Sequence, residues 1–200
     1  MKADEAILKG AILDMDGTIL DSTRHWQRIP VEYVVSKGRV PSPTLVQELA
    51  ALEVPGSAHY LKETYGLEET EEQIVRELYA NIRSIHIEKA TLLPHARELL
   101  AFLRGQGARV ALFTASEVMA AAAAMMRNGV LHCFDLIINT SETGFTKDDP
   151  RAYFEVLRRL GTPAESTAIF EDAPYAVVGA RKTGMRVFTP QDFPQLLGIQ

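Results

Sequence analysis

One cysteine, Cys133, stands in 200 residues, which rules out an internal disulfide and leaves no thiolate cluster to hold zinc. It sits in LHCFDLII, where it reads as a small buried apolar side chain. No block of lysine and arginine occurs either. The 21 basic residues are interspersed among 26 acidic ones for a formal charge of −5, so DNA or RNA meets no extended positive surface. Long apolar runs are missing too. The longest, VMAAAAAMM at 118–126, is too short to cross a bilayer, and no charged-then-apolar leader opens the sequence. There is no internal repeat and no linker rich in glycine and serine. The expectation is a cytoplasmic protein, monomer or weak dimer, with no nucleic-acid or membrane partner.

What is present is a 46% hydrophobic chain, enough to fill a sizeable interior. From residue 90 onward, short apolar runs alternate with segments of helical spacing. The runs are RVALF (109–113), DLII (135–138), STAIF (166–170) and MRVF (185–188). Between them lie PHARELLAFLRGQG, SEVMAAAAAMMRNG, DDPRAYFEVLRRLG and APYAVVGARKTG, each closing on glycine, the usual helix stop. That alternation predicts an α/β fold with a Rossmann-like parallel sheet core covered by helices. Residues 21–89 differ: VEYVVSKG, PTLVQELAAL, AHYLKETYG and EEQIVRELYANIRSIHIEK all carry the helical period. They predict a helical cap inserted between residues 1–20 and 90–200 of the core.

The stretch AILDMDGTILDS, 11–22, puts two carboxylates directly after an apolar run. Asp-Gly between alternating apolar residues also signals a β-hairpin, with ILDM and TIL as its arms. The ends of the other strands argue against it. VALFTAS ends in Thr114 and Ser116, a short loop after DLII carries Lys147, and TAIFED ends in Glu171 and Asp172. Each has a plain structural reading: Thr114 and Ser116 as helix caps, Lys147 as a solvated loop cation, Glu171 and Asp172 as partners of a helix dipole. Ligands of open parallel sheets bind beyond the carboxyl ends of the strands, and four segments place polar groups there together.

That set matches the needs of phosphoryl transfer. Asp14 can be the nucleophile, dividing one hard step into two through an aspartyl-phosphate. Asp16 can protonate the leaving oxygen and then deprotonate the attacking water. A carboxylate approaching a phosphate dianion is repelled, so a hard cation, Mg²⁺, is expected on Asp14, Asp16, Asp172 and Glu171. Lys147 and Thr114, with Ser116 and main-chain amides around Ala115 and Gly17, can bind the phosphate.

These residues resemble the haloacid dehalogenase superfamily of phosphotransferases. Its first motif, D-x-D-G-T, stands here as DMDGT at 14–18; its second as LFTAS; its third as Lys147; its acidic pair as FEDA at 170–173. The order of motifs and the helical insertion look like the subgroup containing β-phosphoglucomutase and many small-metabolite phosphatases. The resemblance implies a cap that closes over substrate, Mg²⁺ dependence and a small phosphorylated metabolite as partner. Two departures are visible: proline follows Lys147 only at Pro150, and Ala173, Pro174, Tyr175 and Ala176 follow the acidic pair. A mutase of this kind looks to use a cap-loop arginine for a second phosphate, and LEVPGSAHY has none. A phosphatase is therefore expected, with a sugar-phosphate mutase as the alternative and a phospho-aspartate switch as a third reading. His25 and Trp26 are expected to face substrate from the cap entrance, whereas His59, His86, His95 and His132 read as structural or solvated.

Overall fold

The computed structural model describes residues 7–49, 52 and 54–199. The chain opens with β1 (Gly10–Leu13) and β2 (Leu20–Asp21). Helices α1 (Thr23–Trp26), α2 (Ile29–Ser36), α3 (Leu45–Leu49), α4 (Val54–Tyr65) and α5 (Glu71–Ser84) follow. Next come β3 (Thr91–Leu92), α6 (Ala96–Gly105), β4 (Arg109–Thr114), α7 (Val118–Arg127) and β5 (Leu136–Asn139). The remainder is α8 (Thr140–Thr143), α9 (Pro150–Leu160), β6 (Thr167–Phe170), α10 (Pro174–Arg181), β7 (Arg186–Phe188) and α11 (Phe193–Leu197).

Five strands pair in the order β5-β4-β1-β6-β7. Every pairing among them is parallel. The hairpin alternative at Asp16-Gly17 fails here, because β1 has parallel neighbours on both sides, Ile12 lying in register with Ala111 and Ile169. All four residues of β1 are buried, the signature of a central parallel strand covered on both faces. Successive side chains point to opposite faces. On one face Ile12, Ala111, Phe113, Ile138 and Ile169 meet Tyr153, Val156 and Leu160 of α9 and Ala180 of α10. On the other, Phe170 lies edge-on to Phe193 of α11, with ring centroids 6.0 Å apart. Truncating a ring such as Phe113 in this packing costs about 3–5 kcal/mol.

The chain divides into two compact units, with junctions between Asp21 and Ser22 and between Ala90 and Thr91. The sheet unit closes on itself at the junction, where β2 and β3 pair antiparallel. In the helical unit, α5 starts on a capping box in which Thr70 and Gln73 exchange bonds. A π-helical turn, Ile85–Lys89, follows α5. The helix expected over 43–52 extends past α3 into residues 50 and 51, which lie outside the described residues.

Candidate active site

Asp14 follows β1 directly, and its amide donates to the carbonyl of Phe170 (2.9 Å), so the strand pairing holds the residue in place. The chain then turns tightly: the amides of Ile19 and Leu20 both donate to the Met15 carbonyl, at 2.9 and 2.8 Å. Gly17 sits in this turn at φ +87°, a region that favours glycine. A methyl group there would overlap the Asp172 carboxylate, so the turn and the end of β6 can approach this closely only through a glycine.

The carboxylates of Asp14, Glu171 and Asp172 each place an oxygen within 4.8 Å of the others, close enough to share a metal ion. Lys147, 3% exposed, is no solvated loop cation. Its ammonium donates to Asp14 Oδ1 and, at 2.9 Å, to Glu171 Oε2. It also lies 5.1 Å from the centre of the Phe113 ring, whose face favours a cation. Glu171 Oε1 accepts from the amides of Asp172 and Ala173, both at 3.2 Å, which ties the carboxylate to the entry of α10. Thr18 Oγ1 donates to Asp172 Oδ1 (3.0 Å). Ser116 Oγ donates to Asp16 Oδ2 (3.0 Å), and Thr114 Oγ1 accepts from the Ser116 amide (2.9 Å). Thr114 and Ser116 thus spend these bonds within the loop after β4 and on Asp16.

Burial pushes the Asp14 carboxyl well above the usual range; Lys147 pulls it back, and Glu171 and Asp16 add repulsion. Burial alone would lower the Lys147 ammonium, but Asp14 and Glu171 outweigh it and hold the group above its ordinary value. Asp172 is likewise raised by burial, against the bond from Thr18. The three clustered carboxylates of Asp14, Glu171 and Asp172 thus share one ammonium, and their all-oxygen set suits a cation of hard, oxygen-seeking character.

The constellation comprises Asp14, Asp16, Gly17, Thr114, Ser116, Lys147, Glu171 and Asp172, all in the sheet unit, with Ala115 exposed on the loop beside them. Asp16 falls outside the three-carboxylate group and is held by Ser116. His25 and Trp26 belong to α1 of the helical unit. There Trp26 meets His86 edge-on at 6.0 Å and lines an apolar cavity of about 340 Å³ with Ile29, Leu61, Leu78 and Ile82. Thr18 and Phe113 had no role in the sequence reading. Thr18 was visible as the last letter of DMDGT, whereas nothing in RVALF marks Phe113 as the floor beneath a lysine.

A parallel sheet with a lysine buried among carboxylates beyond its strand ends defines an α/β protein with a charged, oxygen-rich site at the carboxyl edge of the sheet. The chain belongs to the haloacid dehalogenase-like hydrolases, whose family model matches residues 11–189. It is 22% identical over 178 residues to a phosphorylated carbohydrates phosphatase of Thermotoga maritima, covering 89% of this chain and 82% of that one. Among solved structures, a candidate β-phosphoglucomutase of the same organism superposes with a TM-score of 0.83 at 20% identity, covering 96% of this chain and 99% of that one. YfnB of Bacillus subtilis, bound to magnesium, gives 0.77 at 16% identity, covering 96% and 99%. At such identity the two structures share the fold.

Proposed function

We propose that this protein is a Mg²⁺-dependent phosphomonoesterase that hydrolyses a small phosphorylated metabolite through a phosphorylated Asp14. The observation that carries the reading is the buried Lys147 ammonium shared by Asp14 and Glu171, with the Asp172 carboxylate within 4.8 Å of both acids. In the first step an Asp14 oxygen attacks phosphorus, the ester P–O bond breaks, and Asp16 gives its proton to the departing alkoxide. In the second, water attacks the acyl-phosphate, Asp16 takes the water's proton, and inorganic phosphate leaves with Asp14 regenerated. Ser116 orients Asp16 for both transfers through its 3.0 Å bond. Lys147 neutralises charge on the phosphoryl oxygens, and Thr114 and the amides near Ala115 and Gly17 complete the cradle.

The donor set fits a magnesium ion: it is all oxygen, its charge exceeds what one ammonium balances, and two of its acids are pushed up by burial. Asp14 and Asp172 would hold the ion, with Glu171 beside them, and the ion would supply charge neutralisation for the attack on a dianion. YfnB, with the same fold, binds magnesium, and the Thermotoga relative is named for phosphorylated carbohydrates. The fold likeness to a candidate β-phosphoglucomutase supports the mutase as the second reading.

Phosphate release from a panel of sugar phosphates, with magnesium and with or without a bisphosphate activator, separates the two. The phosphatase releases inorganic phosphate without activator; interconversion of isomers with little phosphate freed sinks it. Asp14→Asn is expected to abolish turnover while circular dichroism stays that of the parent. Retained activity in that variant removes Asp14 as nucleophile.

A further inference from the structure

Gly179 lies in the interior of α10, buried and without the positive φ that would explain a glycine. Glycine inside a helix costs about 1 kcal/mol relative to alanine, so its place calls for a spatial reason. The reason is the loop of Lys147. A Cβ at position 179 would overlap the Lys147 carbonyl oxygen and stand 2.7 Å from both Cα and the carbonyl carbon of Asp148. The helix therefore packs on the main chain of the lysine itself. Lys182, one turn further along, donates to the Asp148 carbonyl at 3.3 Å. From the other direction the loop is closed by the Asp149 amide on the Thr146 carbonyl (3.0 Å), and Asp149 caps α9 through the Arg151 amide (2.9 Å). The same α10 begins just after Glu171 and Asp172.

We propose that Gly179 is a positioning residue for Lys147: the missing side chain lets α10 seat against the Lys147–Asp148 backbone, which sets where the ammonium sits between Asp14 and Glu171. The inference rests on the reading of Lys147 as the cation of the phosphoryl-transfer site. The residue after the lysine, Asp148, offers α10 its backbone as the packing surface.

The test is Gly179→Ala in the full chain, with Val178→Ala as a control at an exposed neighbour on the same helix. Three measurements are made: the melting temperature, the kinetics (kcat and KM) of phosphate release at saturating magnesium, and the rate at which an amine-acylating reagent labels Lys147 relative to exposed Lys9, by peptide mass spectrometry. A displaced lysine lowers kcat about 10- to 100-fold with KM little changed, and raises Lys147 labelling, because a small misplacement of a charged group suffices for such losses. The control leaves all three unchanged. Should Gly179→Ala fail to fold, Lys182→Met, which removes only the outer tether, is read for the same rise in Lys147 labelling. Parental kcat and labelling in Gly179→Ala, or parental labelling in Lys182→Met where that variant decides, overturn the proposal. A parent chain that releases no phosphate from any substrate sinks the phosphatase reading instead, while the labelling comparison still measures the lysine's placement.

Discussion

A lysine ammonium withdrawn from water carries a penalty of several kcal/mol, offset only when opposite charges and hydrogen bonds meet it in good geometry. Lys147 receives both from Asp14 and Glu171. Removing it leaves two carboxylates buried without their cation, so Lys147→Met is expected to cost about 3–5 kcal/mol in addition to activity. The loss has a definite dependence on pH. Burial already raises Asp14, and deleting the ammonium removes the main influence that lowers it. A carboxyl whose folded value lies above its unfolded one stabilises the fold below the unfolded value, and that contribution is lost as pH rises through the folded value. The melting deficit of Lys147→Met is thus expected to be smaller near about pH 5 than near about pH 8; a deficit that grows in acid contradicts the charge assignment. At this scale the residue types were legible, since carboxylates, lysine and hydroxyls at strand ends are unusual as a set. Their mutual bonds were not. Ser116 on Asp16 and Thr18 on Asp172 join positions 100 and 154 residues apart, which no local pattern encodes.

Among the elements, the central strands β1, β4 and β6 could be read because they are covered on both faces and their sequences are nearly unbroken apolar runs, as in GAIL and TAIF. Periodicity also found α6, α7, α9 and α10, but not the short α8 and α11. It could not find the π-helical turn at Ile85–Lys89, because the run from 71 to 89 keeps its helical spacing while the backbone widens near its end. Nor did it flag His95, which precedes α6 at φ +63° and is the only non-glycine with positive φ among the described residues. A left-handed residue with a Cβ is strained by about 1–2 kcal/mol, part of which glycine returns as chain entropy in the unfolded state. His95→Gly is accordingly expected to raise stability by up to about 1 kcal/mol in urea unfolding. A loss of similar size would place some other interaction of the imidazole above the backbone strain.

Taken as a whole, the molecule contains a contiguous helical unit, Ser22–Ala90, and a sheet unit built from both ends of the described chain. In the sequence, β-branched apolar runs stop after the first motif and resume with RVALF at 109–113. All the candidate metal ligands belong to the sheet unit. A cation that binds only the folded site stabilises it by mass action, about 2.7 kcal/mol at a hundred times its dissociation constant. Magnesium is therefore expected to raise the melting temperature of the protein and to slow amide exchange in β1, β4 and β6 more than in α4 and α5. Protection confined to the helices would locate the ion elsewhere.

The middle strand of the sheet also governs the order in which the molecule can be made. Gly10 of β1 pairs with Arg109 and Thr167, 99 and 157 positions further along. A ribosome adding about 5–20 residues per second leaves the second of those partners unmade for roughly 8 to 30 seconds. The helical segment emerges during that interval as one uninterrupted stretch, whereas β1 waits with an open hydrogen-bonding edge until synthesis has passed β6.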